Sequence, residues 1–408
     1  MSALPLSGIK ILDLTRVLAG PLSAQMLADL GAEVIKIERP EGGDDARAFG
    51  PPYLTDPEGK ANNNNSFYLC ANRGKKSVTV NIASPEGQDI IRELAKSCDV
   101  MMENYKVGDL KRYGLDYEAI KKINPGIIYC SVTGFGQTGP YAQRAGYDAI
   151  LQAMGGLMSV TGHIDGEPGA GPMKVGPSIV DYMTGMNTSI GILTALYHRD
   201  AKGGEGQHVD VCLFDTVIAS LSHWLQIYLV NGQTPPRRGT WGNGGMPAGV
   251  FRCTDGELML VVGNDGQFAR TCAVLGAPEL ATDPRFVKNN DRVVHGKEIM
   301  AIFAGLFLKK PTAYWLDELE KAGVPSGPIN NFEQVFADPH VQSRGMKIKV
   351  KHPFEPELAM IRNPLTFSGT PIKDYRAPPL LGADTKEVLA TIGYDDAKVE
   401  ALKKQKIV

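Results

Sequence analysis

The residue type in this chain best suited to covalent chemistry is an aspartate at the start of a long helix. Ser178-Ile179-Val180-Asp181 opens the stretch SIVDYMTGMNTSIGILTALYHR, which reads as one helix to Arg199 with small residues at intervals. A carboxylate in the first turn feels the positive end of the helix dipole, which favours its ionised form. An ionised, positioned carboxylate can act as a nucleophile. The plainer reading of the same four residues is a capping box, S-x-x-D, in which the carboxylate only satisfies orphan amides. A second candidate is the glycine run Gly242-Asn243-Gly244-Gly245-Met246-Pro247. It reads equally as an interdomain hinge or as a mobile lid whose backbone approaches a reactive centre. A third is a set of cations near strand ends: Arg39, the group Arg73, Lys75 and Lys76, and the pair Lys111 and Arg112. Together they would suit a polyphosphate ligand, and singly each reads as a solvated charge.

Several chemistries are disfavoured by what is missing. The first strand-to-helix turn, Thr15-Arg16-Val17-Leu18-Ala19-Gly20-Pro21, carries one glycine and not the G-x-G-x-x-G of dinucleotide-binding folds. The sequence has no G-x-x-x-x-G-K-[ST] phosphate loop and no G-x-S-x-G nucleophile elbow. No two of the seven histidines stand at metal-ligand spacing, so no metal is expected. Lys plus Arg number 43 against 45 Asp plus Glu, a net charge of -2, which gives no footprint for nucleic acid or an anionic membrane. Six cysteines without a C-x-x-C pair, a start without a secretory pattern and no apolar run of about 18 residues lead to the expectation of a cytoplasmic protein.

The elements that must position these groups alternate between strand and helix. Ile9–Leu14 and Glu33–Glu38 read as strands around a helix from Pro21 to Leu30, a βαβ unit. Strands follow at Ser77–Asn81, Asp99–Glu103, Ile127–Thr133 and His208–Leu213, with a helix from Ser84-Pro85 to about Ser97. Residues 42–65 are polar and rich in Pro and Asn, and are expected to form a long surface loop. The texture changes after Asn231, with strands near 250–252 and 257–262 and helices near 265–275, 296–308 and 312–321. The expected organisation is a large α/β domain with a parallel sheet over 1–225, a smaller α+β domain over 226–330, and a return to the large domain over 331–408. The 408 residues suffice for two or three domains.

The run Gly8-Ile9-Lys10-Ile11-Leu12-Asp13-Leu14-Thr15-Arg16-Val17-Leu18-Ala19-Gly20-Pro21 resembles the opening of the family III CoA-transferases, the formyl-CoA transferase/carnitine-CoA transferase family. The likeness continues through Leu30–Arg39, Glu103-Asn104-Tyr105 with Gly108 and Arg112, and Gly134–Pro140. It then takes in Gly146-Tyr147-Asp148, Asp181 with Gly185, Gly323–Pro328 and Ala377–Gly382, spanning nearly the whole chain. The wording GDDARAFGPP, QRAGYDA and GPINN resembles most the branch that moves CoA from succinyl-CoA to glutarate and related dicarboxylates.

The resemblance implies a Rossmann-like large domain built from both termini, a small domain and an intertwined homodimer. It implies an acyl-CoA donor and a carboxylic acid acceptor as substrates, with no permanently bound cofactor. Asp181 falls at the family's catalytic aspartate, and Gly242, Gly244 and Gly245 at the loop that covers its acyl intermediate. Val17, Leu18, Ala19, Arg39, Val80, Asn81, Ile82, Ala83, Asn104, Tyr105, Arg112, Arg144 and Tyr147 fall at CoA-contact positions. Leu18 stands where the formyl/oxalate branch carries glutamine, which argues against oxalate as acceptor. Related α-methylacyl-CoA racemases carry an acid/base histidine where this chain has Tyr147, and a phenol exchanges protons poorly at neutral pH. A racemase and a non-catalytic CoA-binding protein are the alternatives.

Overall fold

The computed structural model describes residues 3–242 and 244–408. Asn243, within the glycine run, lies outside the described residues. The chain divides into two compact units. One comprises Met1–Met158, Lys174–Gln233 and Arg344–Val408, and the other Ser159–Met173 and Thr234–Ser343.

The larger unit is built on six parallel strands: β1 (Lys10–Asp13), β2 (Glu33–Glu38), β3 (Lys75–Thr79), β4 (Val100–Glu103), β5 (Ile128–Thr133) and β6 (His208–Cys212). Their order is β3-β2-β1-β4-β5-β6, so the sequence turns back on itself between β1 and β4. The central strands β1, β4 and β5 read as short apolar runs because both faces are covered. Alternate residues of β1 show the two faces. Leu12 packs with Ile35, Val78 and Met101 on the side of α2 (Pro85–Ala95) and of the C-terminal residues Val388, Leu389, Val399 and Leu402. Ile11 packs with Val34, Val100, Met102 and Ile128 on the side of α1 (Ala19–Asp29) and α4 (Ile179–Lys202); α3 is the short helix Asp148–Met154. Ser84 caps α2 through the Gly87 amide, with Pro85 in its first turn, as the Ser-Pro pair implies. Near the end of the chain the Ile407 carbonyl accepts from the Asn81 amide, which ties the C-terminus to the edge of this sheet.

The smaller unit carries an antiparallel sheet, β7 (Ala248–Arg252), β8 (Glu257–Val261) and β9 (Ser326–Pro328), over a core of Phe251, Phe268, Phe303, Phe307 and Trp315. It extends over 234–343 and includes 159–173, set beside the expected span 226–330. The Gly239 amide donates to the Gly162 carbonyl, a link between distant residues that carries no local sequence signal. A further hairpin, β10 (Lys347–His352) with β11 (Glu355–Ile361), belongs to the larger unit.

The segment 42–65 is the expected surface loop over residues 48–63, which are exposed or half-buried, but its two ends are anchored inside. Asp44, Arg47, Asn64 and Asn65 are all buried. Polar groups can be buried only when paired, and they are: Arg47 forks onto Glu38 at 2.7 and 2.9 Å and reaches Asn64, and Asn65 donates to the Ala46 carbonyl.

Candidate active site

The turn after β1, the turn after β4 and the start of α4 converge on one cavity of about 230 Å³ in the larger unit. It lies where the strand order reverses, which is where open parallel sheets take ligands. The wall after β1 is Arg16–Ala19, the wall after β4 is Asn104–Val107, and Thr133, Gly134, Arg144, Tyr147, Asp148 and Asp181 close it. Asn104 locks the two turns together. Its side chain accepts from the Arg16 amide at 2.9 Å and donates to the Arg16 carbonyl at 2.7 Å. The Arg16 guanidinium lies over the Tyr105 ring and pairs with Asp45 at 2.8 Å.

Asp181 stands in the first turn of α4, lining the cavity. The capping-box reading does not hold. The Ser178 side chain makes no cap, and the helix start is instead capped by Asp148, whose Oδ2 accepts the Val180 amide at 2.7 Å and the Asp181 amide at 3.2 Å. The Asp181 carboxyl is thereby left for other work. The expectation from the dipole alone, a carboxyl held ionised, also fails. Burial first, and then the like charge of Asp148, push Asp181 up to about 7. A carboxyl so placed is poised for chemistry near neutrality, and in ionised form it is poorly solvated and reactive.

The distance between the nucleophile helix and the first turn is set by small residues. A Cβ on Gly185, one turn after Asp181, would lie 2.8 Å from the Ala19 carbonyl oxygen, so α1 and α4 touch backbone to backbone there. The Ser23 and Ser189 hydroxyls pair at 2.9 Å on the same seam. The small residues that the sequence offers for close packing serve this contact inside the chain. Tyr182, Met186, Ile190 and Tyr197 of the same helix are exposed.

The other candidate residues divide by position. Val17, Leu18, Ala19, Asn104, Tyr105, Arg144 and Tyr147 line the Asp181 cavity. Arg39, just after β2, pairs with Asp45, itself a cavity residue, and donates to the Gly43 carbonyl at 3.1 Å. Val80, Asn81, Ile82 and Ala83 follow β3 at the start of α2, outside the cavity, and the Val80 side chain is core. Arg112 is also outside it, 62% exposed beside Tyr113. With the strand order β3-β2-β1-β4, residues 80–83, Arg39, 17–19 and 104–105 form a row along one sheet edge. At about 4.8 Å per strand that row is roughly 14 Å long. Arg73, Lys75 and Lys76 do not join it: they are committed to Asp29, to Asp13, and to Glu33 and Glu387 respectively. Gly242, Gly244 and Gly245 are in the smaller unit. A Cβ on Gly245 would sit 2.5 Å from the Val262 carbonyl oxygen, and Asn289 brackets the loop by accepting from the Met246 amide and donating to the Gly244 carbonyl.

Sequence reasoning gave no role to Asp148 or Arg16. Asp148 was visible only as part of a motif. It caps a helix 32 residues away and faces Asp181, relations that no local pattern encodes. Arg16 sits inside the first turn, and its partner Asp45 lies 29 residues away, a pairing that no local pattern encodes.

Comparison with known proteins adds independent findings. Residues 6–385 match the family model for CoA-transferase family III. A succinate–glutarate CoA-transferase of Agrobacterium fabrum is 45% identical over 388 residues, covering 95% of this chain and 96% of that protein. An acetyl-CoA:oxalate CoA-transferase of Acetobacter aceti is 40% identical over 365 residues, covering 90% of each. The crystal structure of a CAIB/BAIF family protein from Brucella suis superposes with a TM-score of 0.85 at 41% identity, covering 96% of this chain and 100% of that one.

Proposed function

The chain belongs to CoA-transferase family III, and on that premise we propose that it moves CoA from succinyl-CoA to a dicarboxylate such as glutarate through Asp181. The carrying observation is the placement of the Asp181 carboxyl, free of any capping role, in the cavity walled by Val17–Ala19 and Asn104–Tyr105. An Asp181 carboxylate oxygen attacks the donor thioester carbonyl and the C–S bond breaks, giving an acyl–aspartyl anhydride and CoA thiolate. The thiolate attacks the aspartyl carbonyl, releases succinate and leaves an aspartyl–CoA thioester. The acceptor carboxylate attacks that carbonyl and expels the thiolate, which then takes the acceptor acyl group and regenerates Asp181. One thioester replaces another, so the exchange needs no ATP. The row from Val80–Ala83 through Arg39 to Asn104 is suited to an elongated ligand such as CoA, with Arg39 and Arg112 assigned to its phosphate end. Amides at the start of α1, which has no side-chain cap, are suited to the oxyanions. An anhydride must be shielded from water, and that is the role the resemblance assigns to Gly242, Gly244 and Gly245.

Two observations favour a longer acceptor over oxalate. Leu18 is a buried apolar wall of the cavity, able to line methylenes and unable to bond a compact dianion. The glutarate-named relative is also more similar than the oxalate-named one. The homodimer is part of the same reading. It rests on the exposed Tyr182, Met186, Ile190 and Tyr197 of α4 and on the exposed Tyr228, Leu229 and Val230, large apolar side chains of the kind that partner chains cover. A reducing, cytoplasmic setting is likewise proposed from six unpaired cysteines. Screening succinyl-CoA against a panel of acids tests the reading: glutaryl-CoA should form faster than oxalyl-CoA, and the reverse order overturns the acceptor assignment.

A further inference from the structure

The turn that forms one wall of the cavity contains a conformation its sequence disfavours. Val17 sits at φ 72°, in the left-handed region where a β-branched side chain crowds the backbone. Such a residue persists only when its surroundings over-determine it, and here they do. Asp44 Oδ1 accepts the Val17 amide at 3.0 Å, and Asp44 Oδ2 forms an ion pair with Lys36 Nζ at 2.7 Å. Lys36 Nζ in turn donates to the Thr15 carbonyl at 2.9 Å. The side chains of Lys36 and Asp44 are 0% exposed. Asp44 is fixed in place by its own amide, which donates to Glu38, and by the Ala46 amide, which it accepts. Burial pushes the Lys36 ammonium down, but Asp44, Asp13 and Glu38 together outweigh it and keep it charged. A buried ion pair contributes little net stability compared with an apolar pair of similar volume. Its cost therefore calls for another return, and the one on the page is the shape of this turn.

We propose that Lys36 and Asp44 are positioning residues, a buried ion pair that imposes the left-handed conformation on Val17 and so places Leu18 and Ala19 as the wall of the Asp181 cavity. Neither side chain lines that cavity. They act through the backbone of 15–17, while Asn104 secures the carbonyl and amide between their two contacts.

The kinetic part of the test rests on the transferase reading, and a proteolytic part does not. The combined variant Asp44→Leu with Lys36→Met removes both charges at similar volume and leaves no unpaired ion. It is expected to melt as one cooperative unit, to lose about a hundredfold in kcat, and to be cut by trypsin after Arg16 at least tenfold faster than wild type. Val17→Gly is then introduced into both backgrounds, because glycine accepts a positive φ without strain. The gain in kcat from this glycine is expected to be at least tenfold larger without the ion pair than with it, a coupling that general loss of stability would not produce. Equal effects of Val17→Gly in both backgrounds overturn the proposal, as does a kcat within threefold of wild type for the combined variant. If that variant does not fold, the same cycle is run with Asp44→Asn, which keeps an acceptor oxygen and removes only the charge. A coupling of the same sign but smaller is expected, and its absence overturns the proposal. Should the wild type transfer no CoA, tryptic cleavage still decides the matter, since unaltered protection of the Arg16–Val17 bond refutes the clamp on its own.

Discussion

Replacing Asp148 by asparagine separates the two causes that hold Asp181 at about 7. The ordinary aspartate value is 3.8, and burial is the larger cause of the rise, with Asp148 the smaller. The whole rise corresponds to about 4 kcal/mol of preference for the neutral acid. Removing the smaller part should lower the midpoint by about one pH unit, within the range that a nearby like charge produces. The side chain is otherwise nearly conserved, since an asparagine oxygen can still accept the Val180 and Asp181 amides. Its NH2 group would then face the Gln152 amide, which now donates to Asp148 Oδ1 at 2.6 Å. That mismatch should cost about 1 kcal/mol in stability. The assay is kcat/KM for succinyl-CoA with glutarate from pH 5 to 9, each variant normalised to its own alkaline plateau. Only the carboxylate attacks, so activity must fall as pH drops through the Asp181 midpoint. Wild type should fall around pH 7 and Asp148→Asn around pH 6, so that at pH 6 the variant retains about five times the normalised activity of wild type. An acidic limb that stays at 7, or moves up, would refute the claim that Asp148 and Asp181 repel each other across this cavity.

Four further outcomes follow from the same geometry. Asp181→Ala should reduce transfer more than a thousandfold while CoA binding, measured by calorimetry, changes less than threefold. Asp181→Asn should also stabilise the protein at high pH. With the folded carboxyl raised, the ionisation penalty is absent below about 4, grows as pH rises and is complete above about 7, so the variant should gain about 1–3 kcal/mol at pH 8 and nothing at pH 4, read by thermal melting. Arg112→Ala should raise KM for acyl-CoA about tenfold with kcat little changed, because an exposed cation on a remote phosphate gives uniform binding. Gly185→Ala should cost about 1–3 kcal/mol and lower kcat more than it raises KM, since its Cβ must push the Ala19 carbonyl away from α4.

The strands were legible because a parallel sheet covered on both faces leaves short apolar runs bounded by turn residues. Glu33–Glu38 matches its expected limits, and β1, β4 and β5 begin within a residue of theirs. The nucleophile candidate was legible too, because a long helix opening on S-x-x-D is a local pattern and the resemblance singled out Asp181. What stayed hidden was relational. The polarity of 42–65 suggested solvent, but Asp44 and Arg47 find partners in Lys36 and Glu38 on the neighbouring strand and are buried by them. Lys75 looked like a phosphate ligand and is instead held by Asp13, on a strand 62 residues away. The cap on α4 came from Asp148 and not from Ser178, and burial first, then the charge of Asp148, reversed the expected direction of the Asp181 shift. Local propensity reads a carboxyl's own helix, whereas its ionisation is governed by burial and by charges from other elements.

The central claim is that Asp181 carries the transferred group, and trapping that group tests it most directly. The enzyme is incubated with succinyl-CoA without an acceptor acid, quenched with hydroxylamine and mapped by mass spectrometry. A hydroxamate on the peptide containing Asp181, absent without succinyl-CoA and absent when glutarate is added in excess, is the expected result. Borohydride should reduce the same residue to the alcohol. A chain that turns over succinyl-CoA and glutarate while Asp181 stays unmodified, or that is labelled at another carboxyl, would contradict the account.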